Sequence, residues 1–405
     1  DLHSFPTRRS SDLVVDMPLN SKFGFGCMRL PLTDENNPTS INQELFNQMI
    51  DYYMKKGYNF FDTSYAYHNG QSEIALRKGL VERYPRESFE IADKMPTWLL
   101  EKEEDNNKYF NEMLERLGID YFDKFHVHNI NVPFLKKAKK SKAFEFVKKM
   151  KKEEKIKQIG FSFHDSAELL KEVLDEYGEG LDFVQLELNY MDWEDPVIEA
   201  KNCYDLCVKH DLDVYVMEPL KGGTIVNTSD EIKNEFKNFN PNKSIASFAL
   251  RFCASLEHVK IVLSGMSNMD DLIDNCKTYE NFEDLNDEEK EFLSNIALKL
   301  RNTLAVPCSE CNYCVDYCPE MIPIPEYFKI YNLSKQSPSN IYTSFFAKLE
   351  HEKVPTDECT YCGSCIDYCT QKIDIPEMLE KAREELSDGF NPNYQIGRAS
   401  CRERV

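Results

Sequence analysis

Cysteine spacing is the clearest chemical signal in this 405-residue chain. Eight of its fourteen cysteines fall in two runs, and in each run two gaps of two residues precede one gap of three. Short gaps let three thiolates surround one cubane cluster, while the offset fourth thiolate can ligate the other cluster. The spacing therefore predicts two [4Fe–4S] clusters. Their ligands would be Cys308, Cys311, Cys314 and Cys318, which Pro319 follows, and Cys359, Cys362, Cys365 and Cys369.

Other uses of cysteine fit this spacing less well. A zinc site would need pairs of cysteines that close a single four-ligand site. Disulfides need an oxidising compartment, whereas we expect an intracellular chain without a secretory signal, whose thiols stay reduced. The remaining cysteines are scattered and are expected to be small core or surface residues: Cys27, Cys203, Cys207, Cys253, Cys276 and Cys401.

Four further polar residues lie at or just after the ends of apolar runs: Asp62, Tyr67, Lys94 and His128. Each has a structural interpretation as a helix cap, a surface residue or a core polar group. Together they predict acid catalysis on a carbonyl. A buried ammonium would lower the pKa of a phenol, a carboxylate would hold the ammonium, and a histidine would donate to the carbonyl oxygen. His126 points to the same side as His128 but deeper, and we predict a core role for it.

The elements that must position these residues are short apolar runs alternating with longer amphipathic segments. Eight such runs predict parallel strands that close into a (β/α)8 barrel, in which chemistry sits at the carboxyl ends of the strands. A doubly wound sheet would need a G-x-G-x-x-G turn, which the GFG at 24–26 does not complete. The runs are 23–27, 58–63, 89–94, 121–128, 155–162, 182–188, 213–217 and 260–265.

The cysteine runs belong to a separate region that we predict to be a small, mainly α-helical, ferredoxin-like domain. Forty residues with helical patterns, such as 324–335, separate Cys318 from Cys359, which is long for a compact two-cluster ferredoxin. Both ends of the chain lack periodicity and resemble translated adapter sequence rather than a presequence. The predicted divisions are a non-native tail at 1–13, the barrel at 14–284, a connecting helix at 285–303, the cluster domain at 304–395 and a second tail at 396–405.

Composition excludes some partners. A formal net charge of −21 disfavours nucleic-acid binding, and no apolar run approaches the ~18–20 residues of a membrane span. We therefore expect a soluble, cytoplasmic protein. The lysine-rich segment 136–155 is predicted to be the solvated face of a barrel helix, with docking of an acidic electron carrier as the alternative.

Several segments resemble the aldo/keto reductase family, in order and at the family's spacing over roughly residues 22–280. The iron–sulfur subgroup of that family also carries a cysteine-rich C-terminal domain. The resemblance implies that Tyr67 is the general acid, that Lys94 and Asp62 tune it, and that His128 orients the carbonyl. The segments are GFGCMRLP (24–31), FFDTSYAYHNGQSE (60–73), ADKMP (92–96), DYFDKFHVHN (120–129), IGFSFH (159–164), VQLELNY (184–190), VMEPLKGG (216–223) and VLSGMSN (262–268).

The same resemblance implies a nicotinamide dinucleotide bound in extended form across the barrel mouth, without a Rossmann fold. Ser162 and Gln185 match positions that hold the carboxamide, and Met217 and Leu220 match further positions of the cofactor site. The phosphate and adenosine loop before the last barrel helix corresponds to Gly265, Ser267 and Asn275.

Three departures from the family pattern matter for cofactor choice. Phe163 replaces an asparagine that grips the carboxamide, and Met217 replaces an aromatic ring that stacks on the nicotinamide. Asp271 stands where an arginine often faces the 2′-phosphate, so NADH is favoured over NADPH. The loop itself, from Ser264 to Ser267, is expected to offer neutral donors only, since Lys260 lies too early to help.

The two halves of the chain pose a redox question. A nicotinamide passes two electrons as hydride, whereas each cluster passes one electron. The favoured hypothesis is reduction of a small aldehyde or ketone, or the reverse oxidation of an alcohol, with clusters for structure or electron transfer. The alternatives are a one-electron oxidoreductase linked to a ferredoxin-like carrier, or a non-catalytic electron-transfer subunit.

Overall fold

The structure is a computed structural model that describes residues 22–387, except 36, 281 and 337–339. The two predicted tails, 1–13 and 396–405, lie outside the described residues. The outer ends of the predicted barrel and cluster domain, at 14 and 395, lie outside them as well.

In the described part of the chain, eight parallel strands close into a barrel in the order of the sequence. Each strand overlaps one predicted apolar run, so the (β/α)8 prediction is confirmed. The strands are β1 (Phe23–Gly26), β2 (Phe60–Asp62), β3 (Glu90–Met95), β4 (Phe122–Ile130), β5 (Ile156–Phe163), β6 (Phe183–Glu187), β7 (Asp213–Met217) and β8 (Val259–Gly265).

Burial on both faces explains why the strands are almost continuously apolar. All nine residues of β4 are buried, because one face lines the barrel interior and the other packs under the surrounding helices. The strand register brings the carboxyl ends to one level. Gly26 lies opposite both Asp62 of β2 and Gly265 of β8, and Lys94 lies opposite His126. The candidate catalytic residues therefore meet at one end of the barrel.

Amphipathic helices form the outer layer of the barrel. The first ends beside Gly57, because a φ of 87° there suits glycine. The barrel helices are α1 (Gln43–Lys55), α2 (Gln71–Leu76), α3 (Glu103–Leu117), α4 (Val132–Ser141), α5 (Ala143–Lys152), α6 (Ala167–Tyr177), α7 (Ala200–Lys209), α8 (Asp230–Phe239), α9 (Ile245–Ala254) and α10 (Met269–Glu280).

The lysine-rich segment forms two helices, α4 and α5, rather than the single helix expected. Lys142 adopts a left-handed conformation (φ 56°) and separates them. The lysines face solvent and pair with glutamates of neighbouring helices, as Lys137 does with Glu101 at 2.7 Å and Lys139 with Glu176 at 2.7 Å. These pairs offset the positive charge and weaken the alternative of a docking site for an acidic carrier.

The predicted connecting helix is observed as α11 (Asp287–Thr303). Its start is fixed by a capping box in which the Asn286 side chain accepts the backbone N–H of Glu289. Its apolar face carries Leu293 and packs in one cluster with Phe236 of α8 and Phe248 of α9. The helix therefore covers the outside of the barrel beside α8 and α9.

The C-terminal region is mainly helical, as predicted. Its separate core contains Tyr327, Phe328 and Leu379, and each cysteine run includes one short helix. None of the helices in the described part of the chain is long and apolar enough to cross a membrane. The helices are α12 (Tyr313–Asp316), α13 (Ile324–Gln336), α14 (Asn340–Glu352), α15 (Ser364–Asp367) and α16 (Ile375–Ser387).

This domain rests on the carboxyl end of the barrel. Lys372 pairs with Asp165 of the barrel at 3.0 Å, and Arg29 Nη2 donates to the carbonyl of Ser309 at 3.2 Å. Gly222 is required at the contact, because a Cβ there would lie 2.1 Å from the Ser309 carbonyl oxygen. The cluster domain thus borders the end of the barrel where the candidate catalytic residues lie.

Candidate active site

A buried ion pair lies at the carboxyl ends of β2 and β3. Lys94 Nζ donates to Asp62 Oδ1 at 2.5 Å and to the carbonyl of Thr63 at 2.7 Å. Both charged side chains are almost fully buried. The ammonium lies 4.9 Å from the centre of the Tyr67 ring, which the loop after β2 supplies. The structure therefore brings together the phenol, the ammonium and the carboxylate that the sequence suggested.

His128 completes the group from the end of β4. Its ring centre lies 6.4 Å from that of Tyr67, and its Nδ1 lies 3.2 Å from Ser64 Oγ. The edge-on ring of Trp98 packs against it at 5.3 Å. His126 lies two residues before His128 on β4 and is buried deeper in the barrel. Its Nδ1 lies 3.2 Å from the Asp93 carbonyl oxygen, and it is a core residue as predicted.

Burial decides the protonation state of this group. It raises the pKa of Tyr67 well above the usual range, and the neighbouring Asp62 carboxylate adds to the effect. The prediction that Lys94 lowers this pKa was wrong, because loss of solvent around the phenolate outweighs the ammonium, whose charge Asp62 offsets. Burial, helped by Lys94, lowers the pKa of His128 well below its usual value. The site holds a protonated phenol and a neutral imidazole.

A cleft of about 340 Å³ extends from these residues across the barrel mouth to α10. Six of the seven predicted cofactor residues line it: Ser162, Gln185, Met217, Leu220, Gly265 and Asn275. The seventh, Ser267, is exposed and lies outside this lining. Phe163 is buried behind the wall.

The cleft contains polar atoms that fit an amide ligand at one end. Gln185 Oε1 is buried and has no hydrogen-bond partner among the described residues, so it can accept an N–H from a ligand. Ser162 Oγ accepts the backbone N–H of Asn129 at 2.7 Å, which leaves its own proton to donate. At the other end, Asn275 Nδ2 donates to Ser264 Oγ at 2.9 Å. These residues fit the two ends of an extended dinucleotide.

The eight clustered cysteines surround two cavities in a crossed arrangement. The first, here called the proximal cavity, is lined by Cys308, Cys311, Cys314 and Cys369. The second, here called the distal cavity, is lined by Cys318, Cys359, Cys362 and Cys365. In the described residues, no three histidine, cysteine or acidic side chains are placed to hold a single metal ion. Each cavity is thus lined by four thiol groups, which is the number of cysteine ligands that a [4Fe–4S] cluster takes.

Comparison with known proteins identifies the family. The profile of the aldo/keto reductase family matches residues 22–296, which is most of the chain. This chain belongs to the aldo/keto reductase family. A second profile, that of a 4Fe-4S dicluster domain, matches residues 307–373. The first match extends into α11, and the predicted boundaries at 284 and 304 stay predictions.

Three known proteins are similar in sequence to parts of this aldo/keto reductase. L-galactose dehydrogenase of Arabidopsis thaliana is 26% identical over 69% of this chain and 86% of its own length. NADH-specific methylglyoxal reductase of Escherichia coli is 30% identical over 42% of this chain and 55% of its own. Probable aldo-keto reductase 1 of Glycine max is 32% identical over 35% of this chain and 41% of its own. The chain thus spans about half or less of two of these relatives.

Among solved structures, an aldo-keto reductase from Klebsiella pneumoniae in complex with NADPH superposes with a TM-score of 0.53 at 18% identity. The match covers 68% of this chain and 90% of the other. This similarity shows the barrel fold. The chain thus joins an aldo/keto reductase barrel to an additional 4Fe-4S dicluster domain.

Sequence reasoning missed several cleft residues of this aldo/keto reductase. Arg29 follows β1 and packs beside Gly265, so a guanidinium from another strand end lies next to the loop whose own residues are uncharged. Its place in the segment GFGCMRLP, directly after a strand, was the available signal. Cys311, Tyr313 and Thr370 also line the cleft, and they come from the cluster domain. No sequence feature indicated that the cluster domain lines the cleft, because this contact depends on how the two domains pack.

The protonation states of the site predict the pH dependence of carbonyl reduction. A histidine whose pKa is lowered stays neutral down to a more acid pH, and a tyrosine whose pKa is raised keeps its proton to a more alkaline pH. We expect kcat/KM for reduction to change little between about pH 6 and about pH 9, since unperturbed groups would titrate near 6.5 and 10. Steady-state measurement of kcat/KM across this pH range tests the prediction. An inflection near pH 6.5 would contradict the neutral state assigned to His128.

Proposed function

We propose that this chain reduces a small aldehyde or ketone with NAD(P)H, or oxidises the corresponding alcohol. The observation that supports this most is the group that Tyr67 forms with the buried side chains of Lys94, Asp62 and His128, placed in the cleft that most of the predicted cofactor residues line. Family membership supplies the reaction type, and the geometry supports these four residues as the catalytic group.

The residues of the site divide the work of proton transfer. When bound, the nicotinamide supplies or accepts hydride at the carbonyl carbon. The Tyr67 hydroxyl donates a proton to the carbonyl oxygen, and the Lys94 ammonium stabilises the negative charge left on the phenolate. Asp62 holds that ammonium in place through the 2.5 Å contact. Neutral His128 donates a hydrogen bond to the oxygen as charge develops there.

The cleft also supports a specific placement of the cofactor. Gln185 and Ser162 would hold the carboxamide, Met217 would pack on the nicotinamide face, and Gly265 and Asn275 would lie at the phosphate and adenosine end. The Asp271 carboxylate lines that end and accepts a hydrogen bond from Asn268 at 2.8 Å. A carboxylate there would repel a 2′-phosphate, so we propose NADH as the preferred cofactor.

An electron-relay function is the second candidate, and one observation favours it. Cys311 and Thr370 line both the proximal cavity and the cleft, so a cluster in that cavity would lie against the ligand. Cys362, in the distal cavity, is exposed to solvent. This arrangement supports passage of single electrons between a ferredoxin-like carrier and the cleft.

The proposed function is tested with the full chain purified without oxygen. Methylglyoxal and propanal are added with either NADH or NADPH, and loss of the reduced nicotinamide absorbance is followed. We expect aldehyde-dependent oxidation of NADH, with at least a severalfold higher kcat/KM than for NADPH. No oxidation of either nicotinamide with either aldehyde would contradict carbonyl reduction. A preference for NADPH would contradict only the role given to Asp271.

A further inference from the structure

The two cysteine runs are copies of one motif. Each contains Asp-Tyr-Cys, at 316–318 and 367–369, followed by Ile-Pro-Glu, at 324–326 and 375–377. The tyrosines of the two copies, Tyr317 and Tyr368, stack with ring centres 3.4 Å apart and planes 10° apart. The two halves of the cluster domain are therefore copies of one motif that contact each other at this ring stack.

The copies differ at several positions, and two of these lie in the cleft. Tyr313 of the first run corresponds to Ser364 of the second, and Thr370 of the second corresponds to Pro319 of the first. Tyr313 and Thr370 both line the catalytic cleft, whereas Pro319 lines the distal cavity. The copy-specific hydroxyl groups are thus placed on the side of the domain that faces the barrel.

Tyr313 is held beside the catalytic group. Its ring packs edge-on against His164 with ring centres 6.3 Å apart, and it shares the cleft wall with Tyr67 and His128. Its hydroxyl makes no hydrogen bond to the described part of the chain. A phenol in this position has a free donor and acceptor to offer a ligand.

Contacts with Cys311 and Gln371 hold the Thr370 side chain in place. Its Oγ1 lies 3.8 Å from Cys311 Sγ and accepts a hydrogen bond from Gln371 Nε2 at 3.4 Å. Gln371 is in turn held by two buried barrel residues, since its Nε2 also donates to Glu187 at 2.5 Å and its Oε1 accepts from Lys221. Thr370 therefore presents a rigidly positioned hydroxyl group between the cleft and the proximal cavity.

We propose that Tyr313 and Thr370 form a substrate-binding wall that recognises hydroxyl groups of a hydroxylated aldehyde or ketone. The reacting carbonyl is already served by Tyr67 and His128, so these two additional hydroxyls act on neighbouring oxygens of the same substrate. A site built to hydrogen-bond a substrate hydroxyl discriminates strongly against an analogue without it, because its own polar groups then stay unpaired. This inference rests on the proposed carbonyl reduction and adds the substrate class.

A second consequence follows from Cys311. A substrate on this wall would lie beside Cys311, which would ligate a cluster in the proximal cavity, and hydrogen bonds to the sulfurs tune the electronic state of such a cluster. Binding should therefore change the electron paramagnetic resonance (EPR) spectrum of one reduced cluster and leave that of the other unchanged. This signal is independent of turnover.

The kinetic test compares Tyr313→Ser and Tyr313→Phe with the wild type on glyceraldehyde and propanal, which have equal chain length. Ser already occupies the corresponding position of the second run, so Tyr313→Ser is expected to assemble both clusters. We expect either change to lower kcat/KM for glyceraldehyde about tenfold more than kcat/KM for propanal, a difference that corresponds to about 1.4 kcal/mol. Ser364→Ala, at the equivalent distal position, is the matched control and should change neither value.

The spectroscopic test uses glycerol and propan-1-ol, the products of the two aldehydes, with dithionite-reduced protein and no nicotinamide. We expect glycerol to shift one EPR signal, propan-1-ol to leave it unchanged, and Tyr313→Ser to abolish the shift. Equal losses on both aldehydes, or no glycerol-dependent shift in the wild type, would overturn the proposal. If the wild type reduces neither aldehyde, the proposed function fails, and the glycerol shift alone decides whether the wall binds hydroxyl groups.

Discussion

Tyr67→Phe should lower the rate of carbonyl reduction by about 10²–10⁴-fold, the usual contribution of a general acid. The change removes the hydroxyl group of the ring whose centre lies 4.9 Å from the Lys94 ammonium, and it keeps the ring that packs beside His128. The ring geometry and the Lys94–Asp62 ion pair should therefore persist, and the loss should appear in kcat. Steady-state kinetics with NADH and propanal measures it.

The chain offers a control two residues away. The hydroxyl of Tyr65 donates to Glu112 at 3.0 Å, and Tyr65 does not line the cleft. Tyr65→Phe should keep the rate within about threefold, because it removes only a partly buried hydrogen bond. Both variants should retain the iron content and brown absorbance of the wild type. Reduction that proceeds at the wild-type rate in Tyr67→Phe would refute the assignment of the acid.

Cys318→Ser should remove the cluster of the distal cavity and leave that of the proximal cavity intact. Although Cys318 belongs to the first run, its sulfur faces the cavity lined by the other run. The iron content should fall from about eight to about four per chain, since each cubane holds four irons. Iron and sulfide assays with EPR of the reduced protein measure this loss.

Double variants separate the crossed arrangement from an uncrossed one. If Cys318 and Cys359 ligate the same cluster, Cys318→Ser combined with Cys359→Ser should lose no more iron than either single change. Cys318→Ser combined with Cys308→Ser should instead lose both clusters, because the structure places these cysteines in different cavities. The opposite pattern, with both clusters lost in the first pair and one in the second, would show that each run holds its own cluster.

A buried hydrogen-bond network holds the cluster domain against the barrel. Lys221, which is fully buried, pairs with Asp192 at 2.7 Å and also bonds Gln371, which follows Cys369 by two residues. Breaking such a buried network leaves an unpaired charge, which typically costs about 3–5 kcal/mol. The network therefore fixes the proximal cysteines against the barrel mouth. Changes in the proximal cavity are expected to reach the cleft more readily than changes in the distal one.

Much of the fold could be predicted because the local hydrophobic pattern of each segment agrees with its position in the folded protein. The strands of a barrel are buried on both faces, so they appear in the sequence as apolar runs, and their carboxyl ends gather the chemistry. Asp62, Lys94 and His128 could be placed in this way, and Tyr67 followed from its position in the loop after β2. The cysteine runs were equally direct, since ligand spacing is a local property of the chain.

What the sequence could not supply were quantities that depend on surroundings. The direction of the Tyr67 pKa shift was wrong, because it is set by the solvent that the folded protein excludes and not by the nearest charge. Ser267 matched a family position, yet it is exposed and does not line the cleft, whereas Arg29 had no assigned role and lines it. Each case turns on side-chain direction, which periodicity does not specify.

Taken alone, the sequence determined the barrel and the helical cluster domain, and it predicted the catalytic group and the eight cluster ligands, because each depends on residue type and spacing along the chain. Only the tertiary structure decided that the first cysteine run faces the barrel mouth and that Tyr313 and Thr370 line the catalytic cleft. The physical reason is that docking of the two domains rests on contacts between residues far apart in sequence, such as Gln371 with Glu187 and Lys372 with Asp165. No local pattern encodes those pairs.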